Sequence, residues 1–216
     1  MSFSENRPSR DRDEIKRALP SGVRPTLLEM IEANRAYAER FGDKAKLVGA
    51  PRRRLAILTC MDARMDPARF SGLSEGDAHV IRNAGGRASD DAIRSLVVSC
   101  KLMGTTDWAV IHHTGCGMQS YTDEDIRHLL GLDDEVQAEG TKWHHVQKSA
   151  QTPADIHWLT FSDLVQSIID DVRVIREHPL VPDSVAIYGF IYHIHHGTLE
   201  PVSEANRIGA SRRETA

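Results

Sequence analysis

The chain has little that would tie it to a membrane or a secretory route. No apolar run reaches the ~18 residues of a membrane span, and "MSFSENRPSRDRDE" lacks the apolar core of a secretory signal. We therefore expect a cytoplasmic protein. Cysteine is scarce. Cys60, Cys100 and Cys116 are the only three in 216 residues, a poor disulfide framework, and in a reducing compartment they read better as ligands, nucleophiles or core residues. An excess of charge is also missing: the formal net charge of −4 gives no overall pull toward nucleic acid or acidic membranes, and neither is expected as a partner. There is no internal repeat, no low-complexity tract, and no glycine-rich phosphate loop of the Walker or dinucleotide type. What is left is an ordinary globular composition, 40% hydrophobic and 27% charged, in a chain long enough for one domain with appendages.

The pattern along the chain sets the expected organisation. Residues 1–24 read as a polar N-terminal arm, 25–203 as a single domain and 204–216 as a polar C-terminal tail. "PTLLEMIEANRAYAERFG" reads as a helix from Pro25 to Gly42, with Leu27, Leu28, Ile31 and Ala38 near one face. "RRRLAILTC", "DAHVIRNAGG" and "TDWAVIHHTGCG" are apolar runs closed by polar or glycine-rich residues, as buried strands are. "SDDAIRSLVVSCKLMG" is a helix capped by Ser89 and stopped by Gly104. The segment 121–159 breaks the rhythm: it is acid-rich, holds Trp143 and Trp158, includes a short helix near "TDEDIRHLLG", and otherwise reads as a long loop insertion. A helix capped by Ser162 follows, with Leu164, Ile168, Val172 and Ile175 on one stripe. "SVAIYGFIYHI" is a last strand, turned by "HHG" into a hairpin strand "TLEPV". Strands separated by helices predict an α/β fold with a mostly parallel central sheet, and its site is expected beyond the carboxyl ends of the strands.

Chemistry concentrates at two of those ends. His113-x-x-Cys116 places an imidazole and a thiolate across a tight glycine turn, and Cys60 closes the first strand. A Cys₂His set selects Zn²⁺, one per chain, and three protein ligands leave a fourth position open, the pattern of a catalytic site. Asp62 and Arg64 follow Cys60 at alternating positions. A carboxylate there can orient a zinc-bound hydroxide or close on the metal as a fourth ligand, and a guanidinium two residues on can hold it off.

Cys60-x-Asp62-x-Arg64, then "RNAGG" (Arg82–Gly86), then His113-x-x-Cys116 resembles the β-class carbonic anhydrases. The likeness runs over residues 25–120 and resumes in "AIYGFIY". It implies the β-carbonic anhydrase fold, a homodimer or tetramer, and hydration of CO₂ to bicarbonate by zinc-bound hydroxide, with Cys60, His113 and Cys116 on the metal and Asp62 and Arg64 as the catalytic pair. The chain departs from the family pattern at Gly115, where many members carry Asp, and at "GFIYHIHHG". In length, in the segment 121–159 and in "WLTFSDL" it is similar to the carbonyl sulfide hydrolase branch, which implies the alternative reaction of COS with water to CO₂ and H₂S. A rival of another class is a catalytically silent zinc-binding oligomer that uses 121–159 to dock a partner; an intact Asp62–Arg64 pair argues against it.

Other features take plainer readings. Cys100 is a buried small hydrophobe in its helix. His112 points to the opposite side of its strand from His113 and packs in the core. His193, His195 and His196 could form a second metal site at alternating spacing, but a surface hairpin is the expectation. His144 and His145 are loop residues with a possible proton-carrying role, and Arg52, Arg53 and Arg54 mark the solvated start of a strand.

Overall fold

The computed structural model describes residues 24–130 and 156–212, so the arm up to residue 23, Trp143, His144, His145 and the chain end from 213 lie outside the described residues. Two compact units divide between Leu47 and Val48. The first contains helix α1 (Pro25–Ala38), with proline at its first turn, and a 3₁₀ turn at Gly42–Lys46. α1 ends four residues short of the expected Gly42 and buries none of its residues.

The second unit is a five-stranded sheet in the order β2-β1-β3-β4-β5. Its strands are β1 (Leu55–Cys60), β2 (Ala78–Asn83), β3 (Asp107–His113), β4 (Ala186–His193) and β5 (Thr198–Pro201). The first four are parallel, and β5 returns antiparallel to β4 as the expected hairpin. The central strands β1 and β3 are apolar and buried almost throughout, as a sheet covered on both faces requires.

α2 (Pro67–Phe70) is a single turn after β1; α3 (Asp90–Lys101) and α4 (Asp123–Leu129) follow β2 and β3; α5 (Leu164–Glu177) and α6 (Ser203–Ile208) flank the final hairpin. Three of the helices, α3, α5 and α6, pack on one face of the sheet. The Ser89 hydroxyl accepts from the Ala92 N–H to cap α3, and Thr122 and Asp125 form a capping box on α4. Ile168, Val172 and Ile175 of α5 are fully buried against the sheet, each stabilising by about 1.5–3 kcal/mol. On the other face Ile57, Ala109, Ile111 and Tyr192 form a second cluster, where Phe70 stacks on Tyr192 at 4.3 Å.

Two expectations need correction. The cap of α5 is Asp163, whose carboxylate accepts from the Gln166 N–H, while the Ser162 carbonyl instead accepts from Gln119. The chain beyond 203 is not all tail: α6 occupies Ser203–Ile208, Ala205 is fully buried, and the Arg176 guanidinium donates to the carbonyls of Val185 and Gly209. The three arginines before β1 are structural. Arg52 and Arg53 pair with the buried Asp77, and Arg54 donates to the Gly104 carbonyl.

Candidate metal centre

β1 and β3 are hydrogen-bonded neighbours, so their carboxyl ends deliver Cys60 and His113 side by side, with Cys116 one tight turn further on. Gly115 makes that turn with φ +66°, a left-handed conformation that costs other residues about 1–2 kcal/mol. The result is one buried cluster: a sulfur of Cys60, a ring nitrogen of His113 and the sulfur of Cys116 all lie within 4.8 Å of one another. Among the described residues it is the only such group of three or more. The two sulfurs are 3.9 Å apart. Two thiolates at about 2.3 Å from a tetrahedral zinc would stand about 3.8 Å apart.

The donor set suits a cation on its own chemistry. His113 Nδ1 lies 3.1 Å from the Thr114 carbonyl, which can only accept, so the ring's N–H is there and the Nε2 lone pair points into the cluster. That Nε2 is fully buried and has no hydrogen-bond partner. Asp62 Oδ2 lies 3.8 Å from it. Two sulfurs and an imidazole nitrogen without a hydrogen-bond partner, with a carboxylate oxygen close by, form a donor set that suits a soft cation. The S–H that Cys116 shares with the Cys60 sulfur pulls the Cys60 thiol down to about 4, against burial and with help from the backbone N–H groups of Asp62 and Gly85. The same shared hydrogen bond, with burial, pushes Cys116 up.

Asp62 and Arg64 sit at the mouth. Arg64 Nε donates to Asp62 Oδ1 at 2.9 Å and its terminal nitrogen to Oδ2 at 2.6 Å, a bidentate pair. Those bonds hold the Asp62 carboxyl well below the usual carboxylate range, against some burial, and the Arg64 backbone N–H and His113 add to the effect. Arg64 also donates to the Gly115 carbonyl at 3.1 Å, so one guanidinium ties the turns after β1 and β3 together. The carboxylate is therefore ionised and fixed in direction.

His112 turns away from the cluster, as expected, and the structure gives it neighbours the sequence did not suggest. Its Nδ1 lies 2.9 Å from the Ser167 hydroxyl, and its Nε2 lies 3.1 Å from Asp171 Oδ2, outside good hydrogen-bond geometry. Asp171 also accepts two bonds from Arg87, at 2.8 and 3.0 Å. Burial pushes Asp171 up, but the nearby His112 ring and the two bonds from Arg87 outweigh it and leave the group below its ordinary value. The clue was available: Asp171 sits on the buried stripe of α5 between Ile168 and Val172, where a charge needs a partner. His193 and His196 stack at 4.9 Å on the final hairpin, with His193 2.7 Å from Glu200; they do not join the buried cluster. Cys100 is half-buried and, like the other two cysteines, free.

A buried thiolate–imidazole cluster at the carboxyl ends of adjacent parallel strands, with an ionised carboxylate beside it, is an arrangement of the kind that metal-dependent α/β enzymes use. Residues 55–199 match the family model described as carbonic anhydrase, and the chain belongs to that family, in its β class. It is 36% identical over 167 residues to beta-carbonic anhydrase 1 of Mycobacterium tuberculosis, covering 77% of this chain and 91% of that protein. It is equally 36% identical, over 156 residues, to a carbon disulfide hydrolase of Acidianus, covering 66% of this chain and 74% of that one. The solved carbonic anhydrase of Streptococcus mutans superposes with a TM-score of 0.71 at 38% identity, over 83% of this chain and 99% of that one.

Proposed function

We propose that the protein hydrates CO₂ to bicarbonate at a zinc ion held by Cys60, His113 and Cys116. The observation that carries this reading is the bidentate Asp62–Arg64 pair placed 3.8 Å from the bare His113 nitrogen. Zinc bound there would act as a Lewis acid that makes water a nucleophile near neutral pH. Asp62, kept ionised, accepts the hydrogen bond of the attacking water and aims its remaining lone pair at the substrate carbon. Arg64 keeps that carboxylate turned away from the ligand atoms. As the oxygen–carbon bond forms, one C=O electron pair moves onto a substrate oxygen and the proton is released to solvent. The half-exposed Arg64 guanidinium at the mouth suits a product that leaves as an anion.

A second reading has support from the apolar surroundings. Met118 and Phe161 pack against the cluster that contains Cys60 and Cys116, a lining suited to COS, which would give CO₂ and H₂S with one water. The carbon disulfide hydrolase relative points the same way, since CS₂ and two waters give CO₂ and two H₂S. The segment 121–159 leaves the sheet soon after Cys116 and is our candidate for the discriminating wall; most of it lies outside the described residues. A homodimer or tetramer is supported by apolar side chains left open on the sheet, among them Val80, Tyr188 and Leu199. A cytoplasmic setting is supported by the three free thiols and by the lack, among the described residues, of any helix long and apolar enough to cross a membrane.

The test is one zinc-loaded preparation assayed for CO₂ hydration and for H₂S release from COS and CS₂. CO₂ hydration is expected to have the largest kcat/KM. Rapid H₂S release without CO₂ hydration would replace this reading by the sulfur one, and zinc-replete protein inert toward all three would favour a silent scaffold.

A further inference from the structure

The segment Arg82–Gly86, "RNAGG", lies between the two ligand motifs and has no part in the chemistry described so far. In the structure it is a mould around Cys60. Arg82 reaches from the end of β2 and donates through Nε to the Cys60 carbonyl at 2.9 Å and through a terminal nitrogen to the Asp62 carbonyl at 2.7 Å. The Asn83 carbonyl accepts from the Met61 N–H at 2.9 Å, between those two carbonyls. Gly86 lies so close to β1 that a Cβ on it would stand 2.8 Å from the Cys60 nitrogen.

We infer that Arg82 is a positioning residue that fixes the Cys60 ligand and the Asp62 carboxylate as one rigid unit. β1 ends at Cys60, and past it the bond from the Met61 N–H to Asn83 is the last rung that ties this backbone to β2. Arg64 holds the Asp62 side chain and is anchored to the Gly115 turn after β3, but it does not touch the backbone carbonyls that set the position of Cys60 and Asp62. Arg82 belongs to a different strand. Its planar fork bridges the carbonyls on either side of Met61 and so sets the ligand-to-carboxylate spacing against the sheet; a lysine ammonium has donors enough for both carbonyls but no rigid spacing between two donor nitrogens. Outer groups that orient metal ligands in this way are worth roughly 10–100-fold in metal affinity or activity.

The inference rests on the metal-site reading above but not on the identity of the substrate, and the experiment separates the two. Arg82 is solvent-exposed, so Arg82→Met and Arg82→Lys should fold, as circular dichroism would verify. Zinc affinity is measured by competition with a chromophoric chelator, and the cobalt(II)-substituted proteins are compared by their thiolate-to-metal absorption. We expect roughly 10–100-fold weaker zinc binding in Arg82→Met, an altered cobalt spectrum, and a partial defect in Arg82→Lys. In Arg82→Ala, low millimolar guanidinium should restore the wild-type spectrum where methylammonium does not. Wild-type zinc affinity and cobalt spectrum in Arg82→Met would overturn the inference, as would lowered stability with an unchanged spectrum. If the wild-type protein turns over neither CO₂ nor COS while the Arg82 variants shift the metal readouts, the proposed reaction fails and the positioning role stands.

Discussion

Replacing Gly86 by alanine tests how tightly the fold is built around Cys60. Two costs can be worked from the structure. Gly86 has φ +70°, and an L-residue held in the left-handed region loses about 1–2 kcal/mol. The added Cβ would lie 2.8 Å from Cys60 N, 2.9 Å from Thr59 C and 3.1 Å from Thr59 Cα, well inside the ~3.5 Å of a favourable contact. All three are backbone atoms of β1, which is paired on both sides and cannot yield as a side-chain tip would. Overpacking of that kind costs about 1–3 kcal/mol, so the total is about 2–5 kcal/mol. Gly104 provides the control: its φ is +74° but a Cβ there meets nothing within 4 Å, so Gly104→Ala carries only the first cost. Urea unfolding at one protein and zinc concentration should place the Gly86→Ala midpoint clearly below that of Gly104→Ala, with similar slopes. Equal losses would refute the close-approach argument.

Three further outcomes are expected. Cys116→Ser exchanges a soft anionic ligand for a hydroxyl and should purify with little zinc, against about one per chain in the wild type; metal analysis decides it, and full retention would remove Cys116 from the site. Arg64→Ala frees Asp62 from its two bonds, so turnover should fall at least tenfold while zinc content holds, and a fully active, zinc-replete variant would contradict the clamp. Asp171→Ala leaves the buried Arg87 charge and His112 without their carboxylate, a loss of about 3–5 kcal/mol measurable by thermal or urea unfolding. Because the Asp171 pKa is lowered by folding, its stabilisation is present above the unfolded value of about 3.9 and is lost as pH falls through the lower folded value, so the gap between wild type and variant should narrow in acid.

The sheet was readable because each buried strand is an uninterrupted apolar run with a punctuated end; Ala56–Cys60 and Trp108–His113 are buried residue after residue. The gathering of Cys60, His113 and Cys116 is legible in the sequence because sulfur and imidazole at such spacings have few other uses in a sheet. The contacts of Arg82 are not legible in the sequence, since its targets are backbone carbonyls, which carry no signature there. The α5 cap was missed by one position because Ser162 and Asp163 can both cap, and the apolar period does not resolve a single residue. α6 was read as tail because a six-residue helix is too short to show a period. Its burial depends on a partner lacking a side chain: a Cβ on Gly189 would come within 2.7 Å of Ala205 Cβ.

Cys60 and Cys116 are 56 residues apart in the chain yet adjacent across β1 and β3, and this splits the ligand set into unequal halves. His113 and Cys116 form a local pair that a short turn can assemble. Cys60 joins them only after the chain has passed through β2 and α3 and closed a long loop, which must offset its entropy before any contact rewards it. An unfolded chain therefore offers a metal two ligands at best, while the folded one offers three. Any ion held by the full set draws its extra affinity from the β1–β3 pairing and returns it as resistance to unfolding. In this architecture metal occupancy and the integrity of the central strand pair are one thermodynamic quantity seen from two sides.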